Sequence, residues 1–494
     1  MLSTIEQTRL RISRNTEAKK KSQFGQFFTP EKIASYMVSL FPSGNGSCHL
    51  LDAGAGIGSL SSAFLERWNS GGFCFQRVEL DAFEIDDYLL PCLYQTLAKY
   101  GNNAAFISTI RKADFIHAAS DWLSGNLFAE PLPKYTHAIL NPPYKKINSN
   151  SAHRLALRRV GIETVNLYSA FVALAVAQSA PGGQIVAIIP RSFCNGPYYR
   201  SFRNFILERT AIRHIHLFES RSKTFKDDEV LQENIIIRLE RSSQQGSVTI
   251  STSTDDTFTD LASHEHKFNR IVFQDDSEQF IHVPNSPNKN AIELSLAIRY
   301  TLADIGIKVS TGPVVDFRLK EHLRDIPEPG TVPLLYPGHF HNRSIKWPVA
   351  GINKPNAIKR NADTEKFLYP TGFYCVVRRF SSKEEKRRIV ASVVDPGIFN
   401  DVSVLGFENH LNLFHENRHG LPQALAHGLV VFLNTTAVDE NFRCFNGHTQ
   451  VNATDLKLMK YPSRDILTNL GEWAMQQEEI TQTMIDAKLG TLTE

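Results

Sequence analysis

Between residues 48 and 240 short apolar runs recur along the chain: "CHLLDA", "VELDAFEID", "YTHAILN", "GQIVAIIP", "IRHIHLF" and "NIIIRLE". Such runs mark strands covered on both faces, as in sheets sandwiched between helices. Stretches with helical spacing lie between them, among them "SLSSAFLERW" and "NLYSAFVALAVAQSA". The second ends at Pro181-Gly182-Gly183, which stops a helix and opens the next strand. The alternation predicts an α/β fold over residues 24–240, a Rossmann-like domain with a mixed, mostly parallel, doubly wound sheet.

The pattern then changes twice. Residues 241–290 carry Ser, Gln and Thr clusters with acids at Asp255, Asp256, Asp260, Glu265, Asp275, Asp276 and Glu278, and predict a linker or loop-rich connection. Residues 291–494 show irregular β-like segments, aromatic-bearing loops such as "LLYPGHFHNRSIKWP" and a helical tail after Pro462, which predict a separate α+β domain. Residues 1–23 are polar and basic and predict an arm. That arm has no apolar core of a secretory signal, and no stretch of about 18 apolar residues occurs, so a membrane is not an expected partner. Six cysteines without a C-x-x-C pair argue against a zinc site or a disulfide framework and for a reducing cytoplasm. The net charge of +3 is nearly balanced, so attraction to nucleic acid has to come from local clusters of cations.

Candidate chemistry sits at the ends of the strands. "LLDAGAGIGSL" (50–60) runs from a strand through Asp52, Gly54 and Gly56 into a helix start, a turn that lets a ligand approach the backbone closely. The next strand ends in "FEIDD", where Glu84 can accept from ribose hydroxyls. One strand further, "KADFI" offers Asp114 as acceptor for an adenine amino group and Phe115 as a flat apolar face. Upstream, "GQFFTP" presents an exposed-looking aromatic pair, Thr29 as N-cap and Pro30 at the first helical position.

The most specific stretch is "YTHAILNPPYKKIN" (135–148), an apolar strand entering a diproline elbow. Exocyclic amines are poor nucleophiles because their lone pair is delocalised. Two fixed acceptors, the Asn141 side-chain oxygen and the Pro142 carbonyl, can grip both N–H groups and favour attack. Tyr144 offers a face for a planar base.

Together "NPPY" (141–144), "DAGAGIG" (52–58), "FEID" (83–86), "ADF" (113–115) and "GQFFTP" (25–30) resemble the S-adenosylmethionine-dependent N6-adenine DNA methyltransferases of the gamma class, and within it the type II restriction-modification methylases. The resemblance implies a methyltransferase catalytic domain followed by a target-recognition domain. It implies S-adenosylmethionine as cofactor, held by Thr29, Asp52, Gly54, Gly56, Glu84, Ile85, Asp114, Phe115 and Phe171. It implies a flipped-out adenine held by Asn141, Pro142 and Tyr144 and stacked from the other side by Phe225. No metal is expected. A separate cognate restriction endonuclease is expected without a physical complex. The short segment before "FGQFFTP" leaves no room for a nuclease domain of usual size. The resemblance extends to methylases of six-base palindromes of the CTGCAG kind.

Double-stranded DNA is the expected partner. Lys145, Lys146, Arg154, Arg158 and Arg159 follow the elbow, and Arg191, Arg200, Arg203, Arg209 and Arg213 follow the next strand, positions suited to phosphates flanking a flipped base. "RRFSSKEEKRR" (378–388) and "FNGHTQVNATDLKLMKYP" (445–462) offer polar side chains for reading base edges. The NPPY elbow also fits an RNA adenine N6-methyltransferase or a protein glutamine N5-methyltransferase, since a carboxamide nitrogen raises the same lone-pair difficulty.

Overall fold

The computed structural model describes residues 4–15, 28–219, 233–274, 276–284, 286, 288, 291–399, 401–447 and 449–493. The chain divides into two compact units, Met1–Pro287 and Asn288–Glu494. Among the described residues no helix is long and apolar enough to cross a membrane.

The first unit is built on a nine-stranded sheet. Its strands are β1 (Asn45–Ala53), β2 (Cys74–Phe83), β3 (Phe106–Arg111), β4 (Tyr135–Leu140), β5 (Ser179–Pro190), β6 (Thr210–Phe218), β7 (Asn234–Arg241), β8 (Ser247–Ser253) and β9 (Ala262–Lys267). They lie in the order β3-β2-β1-β4-β5-β7-β6-β8-β9. The pairings from β3 to β5 are all parallel, and β7 enters antiparallel between β5 and β6. Strand order reverses at β1, between β2 and β4, which opens a crevice at the carboxyl ends of these strands. The connecting helices include α1 (Thr4–Asn15), α2 (Glu31–Ser39), α3 (Ser59–Asn69), α4 (Leu90–Ala98), α5 (Phe115–Leu123), α6 (Ala152–Arg159), α7 (Leu167–Gln178) and α8 (Arg200–Arg209). Helix α7 is apolar almost all round and correspondingly buried, whereas α2 buries only Ile33, Ala34, Met37 and Val38.

Residues 241–290 are not a linker. Strands β8 and β9 lie within them and extend the sheet, and the first unit continues to Pro287. In "SVTISTS" Val248 and Ile250 alternate with serines and threonines, a period-two pattern so polar that it reads as loop. Ser251 and Ser253 are nevertheless buried, because the Ser251 hydroxyl meets Tyr36 Oη (2.8 Å) and His216 Nδ1 (2.8 Å) and the Ser253 hydroxyl meets His216 Nε2 (3.2 Å). The expected arm also belongs to this unit: Ile12 of α1 joins an apolar cluster with Phe28, Ile57 and Leu89.

The second unit is α+β. Strands Lys308–Thr311, Leu411–His415, Tyr374–Arg378 and Ala391–Val394 form one sheet in that order, and Leu323–Arg324, Ala357–Lys359, Thr331–Leu335, Val404–Phe407 and Leu368–Pro370 form another. Helices Gln423–Leu433 and Arg464–Met475 pack through Gly428 and Gly471, where a Cβ on either would overlap a backbone carbonyl of the other helix. The basic run 378–388 is internal in part. Arg388 is buried and donates to Ser381 Oγ (3.1 Å) and Asn446 Oδ1 (2.7 Å), while Arg378 pairs with Glu385. In the second stretch, Asn446 is buried against Asp455, and Asn452 caps the helix Ala453–Leu458 with Asp455 in a reciprocal box. Arg388, Asn446 and Asp455 are thus internal supports, whereas Arg378 and Asn452 are half-buried.

Candidate active site

The crevice is floored by the turn after β1. Gly54 and Ala55 donate their amides to the Phe83 carbonyl (2.9 and 2.8 Å), tying the turn to the end of β2. Gly54 and Gly56 adopt φ of +79° and +57°, a region that L side chains rarely enter. Glu84, the first residue after β2, accepts three backbone amides: Gly56 on Oε2 (2.8 Å), Ile85 (2.8 Å) and Asp86 (2.7 Å) on Oε1. Burial raises its pKa, and these three amides oppose the shift without cancelling it. A carboxylate offers about four lone pairs, so capacity for a further donor remains.

Asp114 caps α5, its Oδ1 accepting the His117 amide (3.1 Å). Its Oδ2 meets His153 Nε2 at 2.8 Å. Phe115 packs beneath it with Phe171, ring centroids 5.2 Å apart. A cleft of about 320 Å³ is lined by Gly54, Gly56, Glu84, Ile85, Asp114, Phe115, Phe171 and Asn141, and also by Lys145, expected at a phosphate, so nine of the residues the sequence singled out meet at one place. Ile85 remains 52% exposed, which leaves an apolar face open to the cleft.

Two expected contacts do not line it. Asp52 is fully buried under the glycine turn, where Ser61 donates to Oδ2 (2.5 Å), and burial raises its pKa to about 7. Thr29 is buried and does not cap α2, whose N-cap is Pro30 without a side-chain bond. Its Oγ1 is drawn instead to the elbow. The lining residues that escaped the sequence reading include Phe28, buried beside Gly56 rather than exposed, and His153. The second aromatic of "GQFF" was the available signal for Phe28, and nothing near His153 marked it.

The elbow follows β4, whose strand residues Ala138, Ile139 and Leu140 are fully buried. Asn141 Nδ2 donates to Thr29 Oγ1 (2.9 Å). The Tyr144 hydroxyl lies 3.2 Å from both Asn141 Oδ1 and the Ile188 carbonyl, and burial raises its pKa strongly. Tyr144 thus turns its hydroxyl inward, with its ring edge-on to Tyr168 at 6.2 Å, and does not line the cleft of Asn141. Phe225 lies outside the described residues.

Across its whole length the chain is 53% identical, over 496 residues, to the type II methyltransferase M.BsuBI of Bacillus subtilis, covering 98% of that protein. The chain belongs to the type II methyltransferases. It is also 42% identical to M.PstI of Providencia stuartii, over 94% of this methyltransferase and 92% of that one. The family model of the Eco57I restriction-modification methylases matches residues 96–225. Among solved structures the fold is similar to the cryo-EM structure of the DrdV–DNA complex, at a TM-score of 0.54 and 11% identity, covering 96% of this methyltransferase and 59% of that chain.

The methyl donor is S-adenosylmethionine. The cleft suits it: capacity for a further donor on Glu84, flat apolar walls at Ile85 and Phe115, and a turn of glycines. Asp52 Oδ1 is a buried oxygen without a hydrogen-bond partner below that turn.

Several expected DNA-contacting cations of this methyltransferase are committed elsewhere. Arg191 is buried and paired with Glu233 (2.7 Å), and Arg203 is buried against the carbonyls of Phe193, Gly196 and Glu278. Arg154, also buried, and Arg158 share Glu163, an acid just beyond the basic run. Arg159 pairs with Asp121, Arg209 with Glu208 and Arg213 with Glu240. Lys145 and Lys146 are exposed, and Arg200 is half exposed with Glu278 at 3.6 Å.

Proposed function

We propose that the chain transfers the methyl group of S-adenosylmethionine to N6 of an adenine flipped out of a short duplex sequence, a palindrome of the CTGCAG kind, and so protects that DNA from a cognate restriction endonuclease. The observation carrying this reading is Asn141: its amide is held by Thr29 at the rim of a cleft that also presents Glu84 and Asp114.

Bound S-adenosylmethionine supplies an activated methyl on a sulfonium. Glu84 accepts from the ribose hydroxyls and Asp114 from the adenine amino group, with Ile85 and Phe115 on either face of that ring. Gly54 and Gly56 let the cofactor approach the backbone, Phe171 backs it, and Thr29 and Asp52 act from below, Thr29 by orienting Asn141. Asn141 Oδ1 and the Pro142 carbonyl accept the two N–H groups of the target amine and localise its lone pair as it attacks, a stabilisation that develops with the charge. Extruding the base costs a few kcal/mol. With its hydroxyl turned inward, Tyr144 has only the open part of its half-buried ring to offer, and stacking there, and on Phe225 from the opposite side, returns about 1–3 kcal/mol per ring. Lys145, Lys146 and Arg200 meet the flanking phosphates.

Supplying labelled S-adenosylmethionine with duplex DNA, RNA or protein in parallel tests this reading. Label in N6-methyladenine of duplex DNA is expected, at one palindrome when mapped by sequencing. Label confined to RNA or to protein glutamine overturns it.

A further inference from the structure

The Asp114 carboxylate is held from two sides. One oxygen caps α5 through the His117 amide, and the other meets Nε2 of His153, on the first turn of α6, at 2.8 Å. His153 is 39 positions from Asp114 in sequence, lines the same cleft and is half-buried. A helix cap alone needs one oxygen, so the second contact calls for another account.

We infer that His153 is a positioning residue for the cofactor: reaching across from the helix that follows the elbow, it locks the Asp114 carboxylate and closes the adenine end of the cleft. This rests on the reading of Asp114 as acceptor for the adenine amino group. With Oδ1 given to the helix and Oδ2 to His153, the carboxylate cannot rotate, and its remaining lone pairs point in fixed directions. A donor arriving from the cofactor then meets an acceptor whose ordering is already complete.

The charges around His153 support this. Asp114 and His117 face it from the start of α5, the His117 ring 4.9 Å from its own, and Lys145 faces it from the elbow loop. On α6 itself Arg154 and Arg158 are engaged with Glu163, and Arg159 with Asp121. The Asp114 hydrogen bond raises the His153 pKa, against burial and Lys145. Burial raises the Asp114 carboxyl, but the bond and charge of His153, together with the amide and charge of His117, outweigh it and leave that pKa below the usual value. The charge-assisted contact is therefore complete at low pH and weakens as pH rises through the raised His153 pKa, while Asp114 stays ionised.

The test is the affinity of the full chain for S-adenosylmethionine without DNA, by calorimetry from about pH 6 to about pH 9. Wild type, His153→Ala, His153→Gln and Asp114→Asn are compared, because the cofactor's own amine titrates equally against each. At the acid end His153→Ala is expected to bind about 5- to 20-fold more weakly, with turnover at saturating cofactor within about twofold. His153→Gln, which still donates a hydrogen bond, is expected to recover most of that loss, and its deficit against wild type is expected to shrink as pH rises. His153→Ala binding as tightly as wild type or more tightly, or a ratio of wild type to His153→Gln independent of pH, overturns the inference. If Asp114→Asn weakens binding while His153→Ala does not, the inference alone fails. If Asp114→Asn binds like wild type, the reading of Asp114 falls and the inference falls with it.

Discussion

Asn141→Ala separates holding the elbow together from doing chemistry. In the folded chain the amide donates to Thr29 Oγ1 at 2.9 Å and lies 3.2 Å from the Tyr144 hydroxyl. Tyr144 keeps the Ile188 carbonyl as an acceptor after truncation, so one contact is lost outright and one is exchanged. At ~1 kcal/mol net per hydrogen bond the variant should lose about 1–2 kcal/mol of stability and remain folded. The rate should suffer more, because an acceptor aimed at developing charge is worth about 100- to 1,000-fold in turnover. Cofactor affinity should stay within about threefold, since Glu84 and Asp114 are untouched. Thr29→Val is the companion: it removes the amide's anchor but leaves the oxygen, so turnover should fall by only about tenfold. Single-turnover transfer to an oligonucleotide duplex gives the chemical step and calorimetry gives cofactor binding. If folded Asn141→Ala with normal cofactor affinity transfers methyl within about fivefold of the wild-type rate, Asn141 does not grip the amine and the reasoning fails.

Two further perturbations address groups whose roles changed once the fold was known. Asp52 has its pKa raised by burial from 3.8 to about 7, so the native state holds a proton that the unfolded chain releases. Stability should therefore fall as pH rises from about 4 to about 7, by up to ~4 kcal/mol. Asp52→Asn should remove that slope, making the cofactor-free variant more resistant to urea than wild type at about pH 8, by a margin that shrinks as pH falls toward about 4; a difference independent of pH contradicts this. For the cations, Arg191→Ala should destabilise by about 3–5 kcal/mol by leaving Glu233 buried without its partner. Lys145→Ala and Lys146→Ala should melt normally and each reduce the slope of log affinity against log salt by about 1. Unchanged melting of Arg191→Ala, or an unchanged slope in both lysine variants, reverses these assignments.

The central strands were legible because they are covered on both faces and so carry continuous apolar runs, as the fully buried "IVAII" of β5 does. Strand β8 was illegible for the opposite reason. In β8 the serines face a buried histidine, and the Ser251 hydroxyl owes its burial to distant partners such as His216 and Tyr36, 35 and 215 positions away. The site divides along the same line. Gly54, Gly56, Glu84, Asp114 and Asn141 owe their positions to the ends of strands, a local property that the pattern of the chain reveals, and all five line one cleft. Thr29, Arg191 and His153 owe their roles to partners 112, 42 and 39 residues distant. No local pattern distinguishes an arginine awaiting phosphate from one awaiting a glutamate across the sheet. A cluster of cations in sequence therefore overstates the charge open to solvent: Lys145 and Lys146 are exposed and Arg200 half exposed, whereas Arg154, Arg191 and Arg203 are buried.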